Sequence, residues 1–349
     1  MVSGGVFKNY LGLKRLMPRA NSSKIVQASA DVLMSSRRGP PLSGDSLVGI
    51  AALGCVAAGV FGLLSRRGSG ERARATRDPV SDCAEALKDG AVVLAASVLL
   101  DSAFEHFRGN FRNRAMYVAP ATAAVSMAVS LNRNVPRQLR TTIFATAGAV
   151  GVAGLGFHAY NILKRPGGLS WNNLFYAAPA IAPGAMALSG FLGYAASHLE
   201  HALEHAGSER TRREIGPALG ILMAGGIVST VAEAALLHFR GAYHDPFMYA
   251  PVTIPPAAAA ALAVASLKTN DGTLRAARWA LGATAVTGVL GSVFHVYGVQ
   301  RNMGGWRNWR QNLFVGPPIP APPSFTGLAV GGLGILRLLK HEDEDRAEI

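Results

Sequence analysis

Residues 279–300 read WALGATAVTGVLGSVFHVYGVQ, and this stretch contains no Asp, Glu, Lys or Arg. About 20 mainly apolar residues in a helix are enough to cross the roughly 30 Å hydrocarbon core of a bilayer. A soluble globule rarely holds many such windows, so the sequence predicts an all-α, polytopic helical bundle in a membrane. The other windows without these four residue types are 46–65, 115–132, 141–163, 166–199, 216–232, 246–267 and 311–336.

The composition agrees with a membrane environment. Of 349 residues, 50% are hydrophobic and 16% are charged, against about 25% charged in ordinary soluble domains. The net charge of +13 comes from basic residues that lie mostly between the apolar windows, as expected for loops and interfacial anchors. This distribution argues against nucleic acid as a partner, and two cysteines are too few for a four-thiolate metal site.

We expect about nine membrane spans. The first, 46–64, follows a basic N-terminal tail over 1–45, and a charged tail over 340–349 ends the chain. The other eight spans form two blocks of four, 89–199 and 217–339, which are joined by a polar loop over 200–216. These eight are predicted at 89–107, 117–131, 141–163, 175–199, 217–238, 248–267, 278–299 and 316–339.

The two blocks repeat each other. His106-Phe107-Arg108-Gly109 recurs as His238-Phe239-Arg240-Gly241, at an offset of 132 residues. Further matches follow in the same order at offsets of 132 to 139: Met116-Tyr117 with Met248-Tyr249, Phe157-His158 with Phe294-His295, Asn173-Leu174-Phe175 with Asn312-Leu313-Phe314, and Pro179 with Pro318. This order predicts a tandem duplication of a four-span unit. Four is an even number, so both copies enter from the same side and form a parallel repeat.

Prolines interrupt corresponding segments of the two copies. Proline lacks the amide donor and clashes within a helix, so these segments are predicted to be broken, with helix after Pro256 restricted to 256–268. Extended backbone at membrane depth is tolerated where it lines a cavity or is buried in protein. Pro120 alone fits the first turn of a helix. The other prolines are Pro179 and Pro183 in the first copy, and Pro251, Pro255, Pro256, Pro317, Pro318, Pro320, Pro322 and Pro323 in the second.

Four histidines are predicted at one end of the bundle, as two repeated pairs: His106 with His158, and His238 with His295. Neutral imidazole is the commonest metal ligand, and haem iron accepts axial histidines, so these four are candidate ligands of haem b or a transition metal. The alternative is an interfacial role in which each ring bonds to a carbonyl or a lipid head group. A separate set, His198, His201 and His205, shares one helix face and fits either a zinc site or an ordinary amphipathic helix end.

Two acids are predicted about 7.5 Å deeper in the membrane than the first histidine of each copy. They are Asp101 and Glu233, with Arg108, Arg240 or a histidine as the expected partner. An ionisable group inside a span marks a functional site by default. The candidate substrate or proton pathway consists of Asp101, Glu233, Arg108, Arg240, Tyr117 and Tyr249.

Three functions fit this pattern, and the sequence names no reaction. The leading hypothesis is a haem- or metal-binding membrane redox subunit, which would have a redox partner subunit. The second is a proton-coupled transporter or channel for a small-molecule solute. The third is a non-catalytic membrane anchor or assembly protein. The Ala-, Gly- and Arg-rich composition is typical of a GC-rich bacterial genome, and therefore of a bacterial cytoplasmic membrane.

Overall fold

The computed structural model describes residues 78–132 and 134–346, with side chains described as far as Lys340. The predicted tail 1–45 and first span 46–64 lie outside these residues. The described part is all-helical and contains no strand. Its α-helices are α1 (Pro79–Arg108), α2 (Val118–Leu131), α3 (Arg137–Leu163), α4 (Trp171–Tyr176), α5 (Gly184–Ala206), α6 (Ser208–Arg240), α7 (Ala250–Leu267), α8 (Asp271–Arg301), α9 (Trp309–Val315) and α10 (Pro323–Arg346).

Four of the described helices are long and apolar enough to cross a membrane: α3, α6, α7 with its preceding turn from Pro246, and α8. They contain the predicted spans 141–163, 217–238, 248–267 and 278–299. The other predicted spans agree less well with the helices of the structure. The helix in 117–131 has 14 residues, or about 21 Å, while α5 begins nine residues after the predicted start at 175. The predicted span 89–107 lies inside α1, which carries Asp101 and Glu105 and is not among the four.

Local sequence explains where several helices begin. Asp78 caps α1 by accepting a hydrogen bond from the amide of Val80 at 2.8 Å, and Pro79 takes the first helical position, where no donor is needed. Asn270 and Thr273 form a reciprocal capping box at the start of α8. Both motifs satisfy amide groups that would otherwise lack partners at a helix start.

The prediction that prolines break the helix at 251–256 is wrong. Helix α7 runs from Ala250 to Leu267 through Pro251, Pro255 and Pro256. The fixed φ of proline, about −65°, is itself helical, and the two adjacent prolines remove only two amide donors. The alanine run that follows strongly favours helix and continues it. The other proline clusters do interrupt the helices, because residues 177–183 and 316–322 are non-helical.

The core forms where α1, α5 and α10 meet. Leu87 and Leu94 of α1, Leu192 of α5 and Leu328 of α10 are fully buried there. Helix α1 crosses α10 so closely that a Cβ atom added to Gly90 would lie 2.6 Å from the carbonyl oxygen of Gly327. Small residues permit such a close approach, which increases the dispersion contacts between the two helices. The crossing brings α1 beside residues 316–322, which precede α10.

Candidate functional site

The first histidine of each repeated motif ties the end of a long helix to the start of the next one. His106 Nδ1 lies 2.5 Å from the carbonyl oxygen of Met116, and His238 Nδ1 lies 2.8 Å from that of Met248. A carbonyl can only accept, so Nδ1 carries the proton and Nε2 is free to accept or to bind a metal when the ring is neutral.

The turns that these histidines close have the same unusual backbone in both halves. Two consecutive non-glycine residues adopt positive φ angles: Asn110 and Phe111 at 54° and 44°, and Ala242 and Tyr243 at 58° and 46°. Left-handed geometry is unfavourable for such side chains and persists where surrounding contacts hold it. Aromatic stacking supplies one such contact. The Phe111 ring lies 4.2 Å from the Tyr117 ring, and Tyr243 lies 4.6 Å from Tyr249. The predicted pathway residues Tyr117 and Tyr249 therefore support these turns.

The second histidine of each pair binds the non-helical segment that follows it. His158 Nδ1 lies 2.5 Å from the carbonyl oxygen of Pro179, and His295 Nδ1 lies 2.6 Å from that of Pro318. All four rings are half-buried, and each has Nδ1 engaged by a main-chain carbonyl. Such a bond orients a metal-ligating histidine, and it equally fixes the course of a chain without any ligand.

The four histidines do not form one cluster in the described structure. His106 and His158 are near enough for their charges to interact, and so are His238 and His295. Within residues 78–132 and 134–340, none of the four belongs to a group of three or more His, Cys, Asp or Glu side chains with donor atoms close enough to hold one ion. Among the described residues, that criterion selects His201, Glu204 and His205.

Glu233 lies in α6 and meets residues 177–183; we call this contact the Glu233 junction. Its Oε2 accepts a hydrogen bond of 2.8 Å from the main-chain amide of Ile181. Its Oε1 is buried and has no hydrogen-bond partner among the described residues. The expected partner Arg240 lies instead over the ring of Tyr176, 5.6 Å from its centroid. A main-chain amide thus replaces the predicted side-chain cation.

Asp101 lies in α1 and faces residues 316–322; we call this contact the Asp101 junction. It contains a small cleft lined by Asp101, Glu105, Phe314 and Pro320 among others. The expected partner Arg108 binds both carboxylate oxygens of Glu105, at 2.8 and 3.0 Å, rather than Asp101. Within the part of the chain whose side chains are described, the Asp101 carboxyl makes no hydrogen bond or ion pair.

The two junctions differ at one main-chain position. The offset of 139 that pairs Pro179 with Pro318 also pairs Ile181 with Pro320. Ile181 supplies the amide that Glu233 accepts from, whereas Pro320 has no N–H to donate. Ser97 of α1 instead donates to the carbonyl oxygen of Pro320 and lies 2.9 Å from the hydroxyl of Ser324. Sequence reasoning missed Ile181 and Ser97 and named Pro320 only as one proline of its cluster, although the repeat offset could have singled out the pair Ile181 and Pro320.

The opposite end of the bundle holds a second group of polar side chains, at the C-terminal end of α5. Glu200 pairs with Lys88 and with Arg140, the latter at 2.6 Å, and Glu204 pairs with Arg137. The hydrogen bond from Arg137 lowers the pKa of Glu204. Partial desolvation, together with the neighbouring His205 and Arg137, lowers the pKa of His201. This end therefore carries an ionised carboxylate beside a neutral imidazole at pH 7.

Comparison with protein-family models, with curated proteins and with solved structures finds no match to this chain. The function must therefore be argued from the residues of the site itself.

Proposed function

We propose that this chain is a tandemly duplicated, polytopic membrane protein and that Asp101 and Glu233 carry protons through a transporter or channel. The acids are the central groups of this proposal, and the histidines position the backbone around them. We further propose about nine spans and a bacterial cytoplasmic membrane, on the basis of the charge-free windows and the composition described above.

Matching interactions in the two halves support the duplication. Each histidine-to-carbonyl bond in the first half has a counterpart at the corresponding residues of the second. An aromatic contact also recurs: Phe107 stacks on Phe314 at 5.2 Å, and Phe239 stacks on Phe175 at 5.6 Å. These pairs involve residues that the repeat offsets relate to each other. Unrelated apolar helices would share composition but not polar and aromatic contacts in the same order.

The observation that carries the proton-pathway proposal is the environment of Glu233. One carboxyl oxygen accepts from a main-chain amide of a non-helical segment, and the other is buried without a hydrogen-bond partner among the described residues. A buried carboxyl without a cation is costly when ionised, so it can take up and release a proton in response to its surroundings. Acids beside proline-interrupted segments in two repeated halves are typical of transport pathways.

Proton flux into proteoliposomes tests this proposal. The purified full-length chain is reconstituted with an internal pH-sensitive dye, and a potassium diffusion potential drives proton entry. We expect Glu233→Gln and Asp101→Asn each to lower the flux at least tenfold, and Glu233→Asp to retain part of it. Glu209→Gln is the matched control, because Glu209 lies in the exposed first turn of the same helix and pairs with Arg213. No wild-type flux, or flux that both junction variants leave unchanged, contradicts the proposal.

A second candidate is a haem- or metal-binding redox subunit, and the histidine geometry favours it. Each Nδ1 is committed to a carbonyl, which leaves Nε2 as the donor atom that an axial ligand needs. An oxidised-minus-reduced absorption spectrum of protein from haem-supplied cells would show a low-spin haem band that His106→Ala or His238→Ala removes. His244→Ala is the control, because this exposed ring bonds within its own turn. A featureless spectrum together with no flux would favour an anchor with a co-purifying partner.

A further inference from the structure

We propose that His201, Glu204 and His205 form a zinc-binding site at the C-terminal end of α5. One donor atom from each side chain lies within 4.8 Å of the other two. The spacings of three and four residues place the side chains on one face of the helix. Two imidazoles and one carboxylate are a common ligand set for Zn²⁺. This site is separate from the Asp101 and Glu233 junctions and does not depend on the proton pathway.

The orientation of His205 favours metal binding. Its Nδ1 lies 2.9 Å from the carbonyl oxygen of His201 and donates to it. In the neutral ring, Nε2 therefore carries the lone pair that can bind a metal. Metal-ligating histidines characteristically donate their other ring nitrogen to such an acceptor. The two rings are close, with centroids 4.1 Å apart. Glu204 completes the group with His201 and His205, while the ring of His198 stacks on that of Tyr194.

The donor atoms must move together slightly to hold an ion. Zinc binds imidazole nitrogen at about 2.0–2.1 Å, so the donor atoms must approach one another more closely than 4.8 Å. All three side chains are exposed, and exposed side chains change rotamer without disturbing a core. Three ligands leave a coordination position for water.

Arg137 competes with the metal for Glu204. Its guanidinium binds the Glu204 carboxylate from the start of α3, and both side chains are at least one-third exposed. Zinc binding must weaken this ion pair, because the carboxylate cannot face both cations equally well. Removing the arginine should therefore increase the affinity for zinc. Zinc bound by surface histidines without Glu204 would not respond to this change.

Calorimetric titration with Zn²⁺ alone tests the proposal. The full-length chain is purified in detergent without a histidine tag and stripped with a chelator. We expect one strong site per chain, and we expect His205→Ala to weaken it by about a hundredfold or more, since loss of an outer-shell partner alone costs about 10- to 100-fold. His244→Ala should leave the affinity unchanged. Arg137→Gln should raise the affinity about two- to fivefold, since an exposed ion pair contributes about that much.

Two results would overturn the proposal. One is zinc binding of equal strength in the wild type and in His205→Ala, which would place the metal elsewhere. The other is weaker binding in Arg137→Gln, because it would mean that Glu204 is not a ligand in competition with the arginine. Circular dichroism and gel filtration of each variant establish that it is folded, as expected for substitutions of exposed side chains.

Discussion

The Glu233 junction and the Asp101 junction have the same parts, but a main-chain amide donates to the acid at only one of them. In each, an acid in a long helix meets a proline-containing segment from the other half, and a histidine holds that segment by a carbonyl. At the Glu233 junction, Ile181 offers an amide to the carboxylate, whereas Pro320 offers none at the Asp101 junction. The comparison teaches that a main-chain donor, rather than a cationic side chain, distinguishes the two acids. We therefore expect Asp101 to hold its proton more readily than Glu233.

The largest effect is expected from removing the Ile181 donor. A hydrogen bond to a charged group contributes about 1.5–3 kcal/mol, so Ile181→Pro should disfavour the ionised form of Glu233 by tenfold or more. Dicyclohexylcarbodiimide reacts with protonated carboxyl groups in apolar surroundings, and mass spectrometry locates the product. Labelling of Glu233 should rise at least tenfold in Ile181→Pro, whereas Ile181→Ala, which keeps the amide, should behave like the wild type. Equal labelling in both variants would mean that the amide does not control the acid.

The matching turns at the ends of α1 and α6 should respond equally to the loss of their histidines. His106→Ala and His238→Ala each remove the donor to a main-chain carbonyl, at Met116 and Met248. Leaving such a group without its partner costs about 1–3 kcal/mol. We expect both variants to unfold at lower temperature than His244→Ala in detergent, by similar amounts. A large difference between the two halves would contradict the equivalence of the two turns.

A smaller effect is expected from adding a donor at the Asp101 junction. Pro320→Ala supplies the amide that Ile181 supplies in the other half. The aspartate side chain is one methylene shorter than glutamate, so the new bond should form incompletely. Carbodiimide labelling of Asp101 should fall by about threefold, a fraction of what a full charge-assisted hydrogen bond contributes. Pro323→Ala adds an amide at the start of α10, outside the residues that line the cleft, and should leave labelling unchanged.

The smallest effects are expected at the arginines. Arg108 pairs with Glu105 where both side chains are more than one-third exposed, and such pairs contribute about 0–1 kcal/mol. Arg240 lies over the Tyr176 ring, a contact of about 0.5–1 kcal/mol at exposed sites. We expect Arg108→Gln and Arg240→Gln to change thermal stability by at most a few degrees. Loss of proton flux in either variant would mean that the arginine is part of the proton pathway, as the sequence predicts.

The sequence predicts the helical class and the positions of the polar motifs better than it predicts their partners. Charge-free windows locate α3, α6, α7 and α8 because length and composition are sufficient for that task. The partner of Glu233 could not be predicted, because residue types do not reveal where a main-chain amide points. The prediction of a helix break near Pro256 is wrong for a related reason. Proline rules describe a local preference, and the alanine-rich segment that follows overrides it.

Each acid depends on a segment from the opposite half of the chain. Residues 78–206 contribute Asp101 and the amide that Glu233 accepts from, while residues 208–346 contribute Glu233 and the segment that Asp101 faces. Neither part can complete a junction within itself. A single unit of this kind could form a junction only in a symmetric dimer. Each subunit would then place its proline-containing segment against the acid of the other. In one chain, the two positions need not be identical, and Ile181 and Pro320 differ in whether they carry an amide hydrogen.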